Sequence, residues 1–294
     1  MDISTELKEA ISLAILHDRT RYSGSDTAYS KTLGINSAVF SRLKKGEREG
    51  LLSQGQWLNI GRKLQVNINE SAWQAVETDV YLELQDDFSF CQNNSKSLIL
   101  VDDCGIGKTF CARIIIAKMN NAFYIDASQH KTKRQLIKAL AKEIGSGTEG
   151  TYNEILANLK YYINVLGNVF ICIDEAGDLD YSAFLELKGL INGTVARCGW
   201  YLMGAEGLRA KINRGINNQR VGFKEIFDRF STEYRTIVPV GGDDRRTFYQ
   251  KLLTDVATAN TGTAKEAHQN VKKCIAKGKS LRYLETLIII EKAA

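Results

Sequence analysis

One segment constrains the fold more than any other: an apolar run, a glycine-containing loop and a helical pattern follow one another directly. The apolar run is Ser97–Val101, and the loop after it, residues 102–109, has the sequence DDCGIGKT. Glycine makes a tight loop possible at low cost. The backbone N–H groups of such a loop, with those at the start of the next helix, cradle phosphate oxygens. This order therefore predicts a strand, a phosphate-binding loop and a helix.

The loop matches the P-loop pattern GxxxxGK[ST] except at its first position, where Asp102 stands in place of glycine. Lys108 is predicted to neutralise the β- and γ-phosphates of a nucleotide, and Thr109 to ligate Mg²⁺ through its hydroxyl. We expect the carboxylate of Asp102 to alter the nucleotide affinity. The residues predicted to bind the nucleotide in and after this loop are Gly105, Ile106, Gly107, Lys108, Thr109 and Phe110.

A second apolar run, Val169–Ile173, ends in two adjacent acids. Asp174 is predicted to hold the Mg²⁺ shell, and Glu175 to polarise the water that attacks the γ-phosphate. Because this acid pair accompanies a P-loop in the same chain, we predict ATP hydrolysis, with ATP and Mg²⁺ as cofactors.

The pattern of apolar residues divides the chain into three regions. Residues 1–70 predict short helices separated by Gly and Asn turns, and residues 243–294 predict helices alone. In residues 76–242, short apolar strands alternate with helical segments. This pattern is typical of a parallel sheet covered on both faces. We therefore predict an α/β core with a five-stranded parallel sheet between two helical regions. The strands are predicted at Ser97–Asp102, Ala122–Asp126, Asn168–Asp174, Gly199–Met203 and Thr236–Val240.

The composition limits the classes of protein to which this chain can belong. Apolar residues make up 44 % and charged residues 25 % of the 294 residues, which excludes wholesale disorder. No apolar run approaches the roughly 20 residues that span a bilayer, and the polar, acidic first residues predict no signal peptide. Six cysteines without a CxxC pair predict a reduced, cytoplasmic protein, and three isolated histidines offer no metal cluster. The net charge of +5 is compatible with a nucleic-acid partner.

Residues 25–43 predict two helices joined by a tight turn, in which Gly34 supplies a positive φ. Apolar side chains on either side of the turn would pack the second helix against the first. The pattern resembles the helix-turn-helix of phage repressors, whose second helix enters the major groove of DNA. A small helical domain with a solvated basic end is the alternative. The residues predicted to contact DNA from the second helix are Ser37, Ser41 and Arg42.

Together these motifs resemble those of AAA+ ATPases, and among them the transposition-associated branch that includes the phage Mu B protein, TnsC and IstB. A helix-turn-helix precedes the ATPase as in Mu B, and residues 278–284, GKSLRYL, resemble the lid helix of this branch. The resemblance covers nearly the whole chain. It implies an AAA+ P-loop NTPase core with a small helical lid. It also places Thr78, which opens the segment before the P-loop, among the nucleotide-binding residues.

The resemblance further implies that arginines complete the catalytic site, because phosphoryl transfer needs positive charge on developing oxyanions. Arg229, just before the last strand, takes the position of an arginine finger supplied by a neighbouring subunit, and Arg220 is the alternative finger. Arg282 in the lid would sense the γ-phosphate within its own subunit. Ala205 stands where many AAA+ proteins have Asn or Thr to position the water, and we therefore expect slow hydrolysis.

Two basic clusters lie away from the P-loop, one after the second predicted strand and one after the fourth. In the ring and filament ATPases that the chain resembles, such loops face a central channel, where Lys and Arg follow DNA phosphates without reading sequence. Two solvated loops are the alternative interpretation. The residues predicted to contact DNA in these clusters are Lys131, Thr132, Lys133, Arg134, Arg209, Lys211 and Arg214.

The function that the resemblance implies is target selection in transposition, by a protein encoded in a bacterium or a phage. ATP would assemble the protein on double-stranded DNA as a helical filament or ring. The oligomer would recruit and activate a transposase, which would stimulate hydrolysis. Two alternatives stay open: a replicative helicase loader of the IstB/DnaC type, and a nucleotide-gated repressor in which the helix-turn-helix dominates. A membrane partner is not expected.

Overall fold

A computed structural model describes residues 3–64, 66, 73–278 and 280–293 of the chain. The predicted boundary near residue 70 lies outside these residues, as does Lys279 of the predicted lid motif. The N-terminal helices begin at polar residues whose side-chain oxygens accept a backbone N–H, as Ser4 does for the first and Ser53 for the fourth. The helices are α1 (Thr5–Thr20), α2 (Asp26–Thr32), α3 (Ser37–Lys44) and α4 (Gln54–Lys63).

The central region is a parallel sheet with helices on both sides. Within the described residues the sheet has five strands, all parallel, as predicted. Their order in the sheet is β2-β3-β4-β1-β5. The strands are β1 (Ser97–Val101), β2 (Ala122–Asp126), β3 (Val169–Asp174), β4 (Cys198–Gly204) and β5 (Tyr234–Arg235). The helices around them are α5 (Asp79–Asn94), α6 (Lys108–Lys118), α7 (Lys133–Ile144), α8 (Tyr152–Leu166), α9 (Tyr181–Gly193), α10 (Glu206–Asn217) and α11 (Phe223–Arg229).

Alternate residues of each strand face opposite sides of the sheet, so two separate clusters of buried apolar side chains form. Ile99 and Val101 of β1 pack with α7, α8, α9 and α10, whereas Leu100 packs with α5 and α6. β3 and β4 are buried along their whole length, as expected for central strands covered on both faces. The carboxyl ends of the strands lie at one edge, which carries the P-loop and the acid pair.

The fifth strand lies elsewhere than predicted. It spans Tyr234–Arg235, and the predicted residues 236–240 follow it without strand structure. Pro239 has no N–H to donate to a ladder. The two residues before it donate their N–H groups to the carboxylate of Asp102 instead of to β1. The other four predicted strands are confirmed to within one residue at either end.

The C-terminal region is a helical unit fixed to the sheet. Leu253, Cys274 and Leu284 belong to an apolar cluster within this unit, whereas Phe248 and Leu252 pack into the cluster of α5 and α6. No helix in the described part of the chain is both long and apolar enough to cross a membrane. The helices are α12 (Gly242–Asn260), α13 (Ala264–Ala276) and α14 (Leu281–Ala293).

The N-terminal helices pack directly against the α/β core. The Tyr22 hydroxyl, after α1, donates to the carbonyl of Ile144 at 2.7 Å and lies 2.9 Å from the hydroxyl of Tyr162. A Cβ on Gly145 would come within 2.7 Å of the Thr32 methyl group. Buried side chains of α1 to α4 belong to the same apolar cluster as α7, α8 and one face of the sheet. The two regions therefore share a hydrophobic core.

Within the N-terminal region, α2 and α3 have the helix, turn and helix order predicted for residues 25–43. Gly34 in the turn has a φ of 68°, which residues with a Cβ rarely adopt. Phe40 and Leu43 of α3 are fully buried, and Leu33 and Ile35 beside the turn are nearly so. The apolar side chains therefore pack α3 against its neighbours as the sequence predicts.

Candidate nucleotide-binding and catalytic site

The P-loop connects β1 to α6 at the carboxyl edge of the sheet. Gly105 and Gly107 have φ values of 79° and 95°, in the region that favours glycine. α6 begins at Lys108, and no side chain caps its first turn. The N–H groups at the start of this 11-residue helix are therefore available to phosphate oxygens. The loop has the shape that phosphate binding requires.

The ammonium group of Lys108 lies folded back over its own loop. It donates to the carbonyl oxygens of Asp102 at 2.9 Å and Asp103 at 2.6 Å. Burial lowers the pKa of Lys108, and the negative charge of Asp102 opposes this effect. Phosphate oxygens would offer the ammonium charged acceptors in place of neutral carbonyls, and hydrogen bonds to charged acceptors are stronger. A nucleotide would therefore compete well for this lysine.

Three donors converge on the carboxylate of Asp174, which is only 2 % exposed at the end of β3. The hydroxyls of Thr109 and Tyr124 both donate to its Oδ2 atom, at 2.7 Å and 2.8 Å. The N–H of Glu175 donates to Oδ1 at 2.8 Å. Burial and the charge of Asp174 raise the pKa of Tyr124 well above its usual range, so its hydroxyl stays protonated. The two predicted metal ligands, Thr109 and Asp174, therefore lie in contact.

These ligands suit Mg²⁺ carried by a nucleotide. A hydroxyl and a carboxylate are hard oxygen ligands, and Mg²⁺ usually takes one or two such protein groups while keeping water and phosphate oxygens. No group of three or more His, Cys, Asp or Glu that could hold an ion occurs within residues 3–64, 66, 73–278 and 280–293. The donor set therefore fits an ion shared with phosphates better than an ion held by the protein alone.

Glu175 differs from Asp174 in backbone conformation, in exposure and in hydrogen bonding. Its φ of 49° is left-handed, which costs a residue with a Cβ on the order of 1 kcal/mol. Its side chain is exposed at the edge of the site. Partial burial and then the negative charge of Asp174 raise the pKa of Glu175. A carboxylate with a raised pKa is a better proton acceptor, which is what the predicted role requires.

Asp102, the residue that departs from the P-loop pattern, has a structural role. One of its carboxylate oxygens accepts the N–H groups of Ile237 and, at 3.0 Å, Val238, and the other accepts that of Asp103 at 2.7 Å. The carboxylate of Asp103 in turn accepts a hydrogen bond from Arg245 on α12. The two acids therefore join the start of the P-loop to the chain after β5 and to the helical lid.

The other residues predicted to bind the nucleotide have three kinds of surroundings. Thr78 is buried, and its hydroxyl caps α5 by accepting the N–H of Tyr81 at 3.3 Å. Ile106 packs into the cluster of α5 and α6, so only its backbone faces the loop. Phe110, on the first turn of α6, is 44 % exposed. Of these three side chains, only the Phe110 ring is open to a ligand.

The lid contacts the P-loop at the start of α14, just before the predicted γ-phosphate sensor. The N–H of Leu281, the first residue of α14, donates to the carbonyl of Gly105 at 3.2 Å. A Cβ on Gly105 would come within 2.6 Å of Ser280. Arg282 follows, and its guanidinium has no hydrogen-bond or ion-pair partner among the described residues. The fold thus brings Arg282 next to the P-loop, although the two are far apart in sequence.

The P-loop, the acid pair and the parallel sheet together form the AAA+ P-loop NTPase fold. Residues 92–212 match the family model described as an AAA domain. The matched segment contains β1 to β4, the P-loop and both acids, and it excludes the N-terminal helices and the lid. A search of curated proteins finds no match.

Two solved structures resemble the chain at low sequence identity. The crystal structure of Cdc6p from Pyrobaculum aerophilum matches 73 % of this chain with a TM-score of 0.45 and 14 % identity. The structure of the ORC2 protein from Aeropyrum pernix, in ADPNP-ADP complexes, matches 76 % of this chain and 70 % of that one, with a TM-score of 0.39 and 14 % identity. The chain spans 65 % of the length of the Cdc6p chain.

Two candidate finger arginines follow the AAA domain, and their surroundings differ. Arg229 ends α11, and its exposed guanidinium has no partner within the described part of the chain. The Arg220 guanidinium lies 4.4 Å from the centre of the Tyr181 ring. Because a guanidinium stacked on an aromatic ring is held by that contact, Arg229 is freer to reach a neighbouring subunit. Its role in trans stays a prediction.

The position after β4 carries no polar side chain. β4 of the AAA domain ends at Gly204, and Ala205 follows with its methyl group. Glu206, the next residue, pairs with Arg209 at 3.3 Å. Ala205 therefore offers no polar side-chain group that could orient an attacking water, and slow hydrolysis stays a prediction.

The two basic clusters converge on the segment that follows the acid pair. Lys131 forms an ion pair with Asp178 at 2.8 Å. Lys211 donates to the carbonyl oxygens of Gly177, at 2.7 Å, and Leu179. Burial also lowers the pKa of Lys211. Lys211 is therefore occupied within its own subunit, and it is the predicted DNA contact that the structure supports least.

The remaining members of the clusters lie at the surface. Arg209 pairs with Glu206, and the ammonium of Lys133 lies 5.5 Å from the centre of the Tyr152 ring. The hydroxyl of Thr132 caps α7. Of these members, Arg134 and Arg214 have exposed guanidinium groups without a partner among the described residues.

The predicted DNA-reading face of α3 is turned to solvent. Ser41 and Arg42 are exposed, and Ser37 is partly exposed. Arg42 forms an ion pair with Glu47 at 2.7 Å. Exposed pairs of this kind contribute about 0–1 kcal/mol, so a phosphate can displace the glutamate at little cost. DNA binding by α3 stays a prediction.

Two residues of the site were not predicted from the sequence. Tyr124 lies on β2 opposite Cys172, and the alternation of side chains places it on the same face as Asp174. The sequence contains the alternation within each strand, but not the register of β2 against β3 that brings the two side chains together. Arg245 meets Asp103 only because α12 folds back over the P-loop, and no local pattern indicates this contact.

Proposed function

We propose that this protein is a slow ATPase that binds double-stranded DNA in its ATP-bound form, assembles on that DNA and activates a transposase. The observation that carries the ATPase proposal is the 2.7 Å contact between the Thr109 hydroxyl and the Asp174 carboxylate, next to Lys108 in the loop. A P-loop lysine, a hydroxyl and a carboxylate in this arrangement hold a nucleotide and its metal for phosphoryl transfer.

Different residues of the chain have different roles in hydrolysis. Lys108 exchanges the carbonyls of its own loop for β- and γ-phosphate oxygens. Thr109 and Asp174 would hold Mg²⁺, and the chemistry that Mg²⁺ supplies is neutralisation of phosphate charge. Glu175 orients a water molecule and accepts its proton. Arginines place positive charge on the transferring phosphoryl group, Arg282 from the same subunit and Arg229 from its neighbour.

The position of the basic clusters supports a link between DNA binding and hydrolysis. The negative charge of Asp178 is among those that raise the pKa of Glu175, and Lys131 is paired with Asp178. A DNA phosphate that draws Lys131 away from Asp178 would alter the electrostatic surroundings of Glu175. DNA is therefore expected to change the rate of hydrolysis through this segment.

The transposase partner is proposed from the sequence motifs. Helices of helix-turn-helix order, a P-loop core and the lid motif resemble the AAA+ branch that serves transposition. The methyl side chain of Ala205 is consistent with slow turnover, and slow turnover suits a protein whose ATP-bound state must persist on target DNA. The helicase loader and the nucleotide-gated repressor are the rival functions, and they differ in the DNA that they would bind.

Electron microscopy with random-sequence DNA, in ATP or ADP, tests the proposal. We expect regular oligomers on double strands with ATP and none with ADP. Assembly on single strands alone would instead favour the helicase loader, and a footprint at one operator sequence without oligomers would favour the repressor. A transposase encoded beside this gene should bind the ATP-bound oligomer and accelerate hydrolysis, and a failure of both would contradict the transposition proposal.

A further inference from the structure

A tyrosine of the neighbouring strand contacts the predicted metal ligand. β2 and β3 pair so that Tyr124 lies beside Cys172, the residue two positions before Asp174. Tyr124 and Asp174 therefore share one face of the sheet. The Tyr124 hydroxyl donates to Oδ2 of Asp174 at 2.8 Å, and the Thr109 hydroxyl donates to the same oxygen at 2.7 Å. One carboxylate oxygen is thus held from two sides.

We propose that Tyr124 is a positioning residue that fixes the Asp174 carboxylate for Mg²⁺. The proposal rests on the proposed ATPase function. Oδ1 of Asp174 is held by the N–H of Glu175 at 2.8 Å, and Oδ2 by Tyr124, so the carboxylate cannot rotate about its Cβ–Cγ bond without breaking hydrogen bonds. Outer-shell partners of this kind orient metal ligands, and their removal typically lowers metal affinity about 10- to 100-fold.

Packing alone does not require a hydroxyl at this position. Phe123 and Ile125, the neighbours of Tyr124 in β2, are buried, whereas Tyr124 is only partly buried. Its ring forms part of the wall of a cleft of about 460 Å³ between the N-terminal helices and β2. The Arg113 guanidinium lies 5.0 Å from the ring centre. A phenylalanine would occupy the same space, so that substitution removes only the polar contacts of the hydroxyl, with Asp174 and with Arg113.

Tyr124→Phe is the test, and Tyr201→Phe is its matched control. The Tyr201 hydroxyl donates to a carboxylate oxygen of Asp87 at 2.8 Å, in the core between β4 and α5. The control therefore removes the same kind of hydrogen bond away from the metal. The first measurement is the Mg²⁺ concentration that gives half of the maximal thermal stabilisation at a fixed ADP concentration. The second is the affinity for a fluorescent ATP analogue in EDTA.

We expect Tyr124→Phe to raise the Mg²⁺ midpoint about 10-fold and to leave the nucleotide affinity in EDTA unchanged. Tyr201→Phe should leave the midpoint unchanged. Arg113→Met, which keeps the hydroxyl but removes the cation stacked on the ring, should raise the midpoint less, by about 2- to 5-fold. If Tyr124→Phe fails to fold, the Mg²⁺ midpoint of Arg113→Met is the measurement that tests the proposal.

A Tyr124→Phe midpoint equal to that of the wild type overturns the proposal, and so does an equal rise in Tyr201→Phe. An unchanged midpoint in Arg113→Met overturns it where Tyr124→Phe does not fold. If Mg²⁺ does not strengthen nucleotide binding by the wild-type protein at all, the proposed ATPase function fails instead, whatever the variants do. The two failures are therefore distinguishable.

Discussion

At the scale of single residues, the two adjacent acids have surroundings that suit them to different tasks. The Asp174 carboxylate is buried and accepts three hydrogen bonds. The Glu175 carboxylate is exposed and accepts none from the described residues. A carboxylate that is fixed by hydrogen bonds is suited to hold an ion in one place. A carboxylate that accepts no such bonds and has a raised pKa is suited to take up a proton.

Glu175→Gln is expected to lower kcat about 100-fold or more, because general bases contribute roughly 10²–10⁴ in rate. ATP binding should persist, so the variant should accumulate on DNA. In the wild type, the base must be ionised, and the rate falls as the pH drops through its pKa. Because partial burial and Asp174 raise the pKa of Glu175, this fall should begin above the ordinary Glu value of about 4.3.

Steady-state ATPase rates measured against pH check both expectations for Glu175. Glu149→Gln, at an exposed position outside the site, is the control and should behave like the wild type. A Glu175→Gln variant that keeps the wild-type rate would mean that another residue is the base. A wild-type rate that stays level down to the ordinary glutamate range would contradict the pKa argument.

At the scale of elements, the P-loop is joined to the lid by its own acids. Asp102 holds the chain after β5, and Asp103 contacts Arg245 on α12. The other side of the loop meets the first residue of α14 at Gly105. A nucleotide that moves the P-loop therefore acts on the first and the last helix of the lid, α12 and α14.

Asp102→Gly, which restores the P-loop consensus, is expected to lower the free energy of unfolding by about 2 kcal/mol. The reason is that hydrogen bonds to a charged acceptor contribute about 1.5–3 kcal/mol each. Asp102→Asn keeps an uncharged acceptor and should be destabilised less. Urea denaturation measures the stability, and hydrogen exchange at Ile237 and Val238 reports the local change. Equal stability of the wild type and Asp102→Gly would contradict the anchoring role.

The loops with the basic clusters lie on either side of the segment after β3. Lys131, Lys133 and Arg134 replaced together by Ala should weaken binding to all duplex sequences alike, since interactions with phosphates carry no sequence information. The slope of log affinity against log salt should fall by about 0.9 for each phosphate that the variant no longer neutralises. Salt titrations on random duplexes measure this slope.

Lys265, Lys272 and Lys292, exposed on α13 and α14, provide the matched control for the basic loop. Their replacement by Ala removes the same charge from the lid and should leave the slope nearly unchanged. If the loop variant binds DNA like the wild type, the channel proposal is wrong. If substitutions at Ser37, Ser41 and Arg42 then abolish binding, the nucleotide-gated repressor becomes the better explanation.

At the scale of the whole molecule, the N-terminal helices and the AAA domain share one hydrophobic core. Tyr22 donates to the carbonyl of Ile144, and Lys63 pairs with Glu143 at 3.2 Å. Deletion of residues 1–64 would expose apolar side chains of α7 and α8. A truncated chain is therefore a poor test of what the N-terminal helices do, and surface substitutions on α3 are the better one.

The proposed oligomer predicts that two inactive variants restore each other. Lys108→Ala lacks the lysine that binds the phosphates, and removal of a buried charged partner costs about 2 kcal/mol or more, or about 30-fold in affinity. Arg229→Ala retains its P-loop but lacks the finger for its neighbour. Mixed on DNA at an ATP concentration high enough to fill the weakened site, the Lys108→Ala subunits should supply Arg229 to the intact P-loops, and part of the ATPase activity should return.

Arg220→Ala is the control for the mixing experiment. Because Arg220 is stacked on Tyr181 of its own subunit, Arg220→Ala alone should remain active. Full activity of Arg229→Ala alone, together with an inactive Arg220→Ala that recovers when it is mixed with Lys108→Ala, would identify Arg220 as the finger. No recovery in either mixture would contradict a site completed between subunits.

Local patterns in the sequence are sufficient to predict several parts of this protein. The P-loop, the strand before Asp174 and the helix-turn-helix order around Gly34 follow from glycine conformation, from runs of apolar residues and from polar residues at helix starts. Four strands follow from the same signals, since a strand buried on both faces must be a continuous apolar run. These properties depend on neighbours in the chain, so local patterns predict them.

Contacts between groups that are distant in sequence depend instead on how the elements pack. The Asp102 carboxylate accepts backbone N–H groups that lie within the predicted fifth strand. The Tyr124 hydroxyl donates a hydrogen bond to Asp174 on the neighbouring strand. Lys211 was predicted to meet DNA, yet its ammonium is bonded to the segment after the acid pair. Each of these interactions joins residues that are far apart in sequence and depends on how strands and helices pack. No periodicity within one element contains that information.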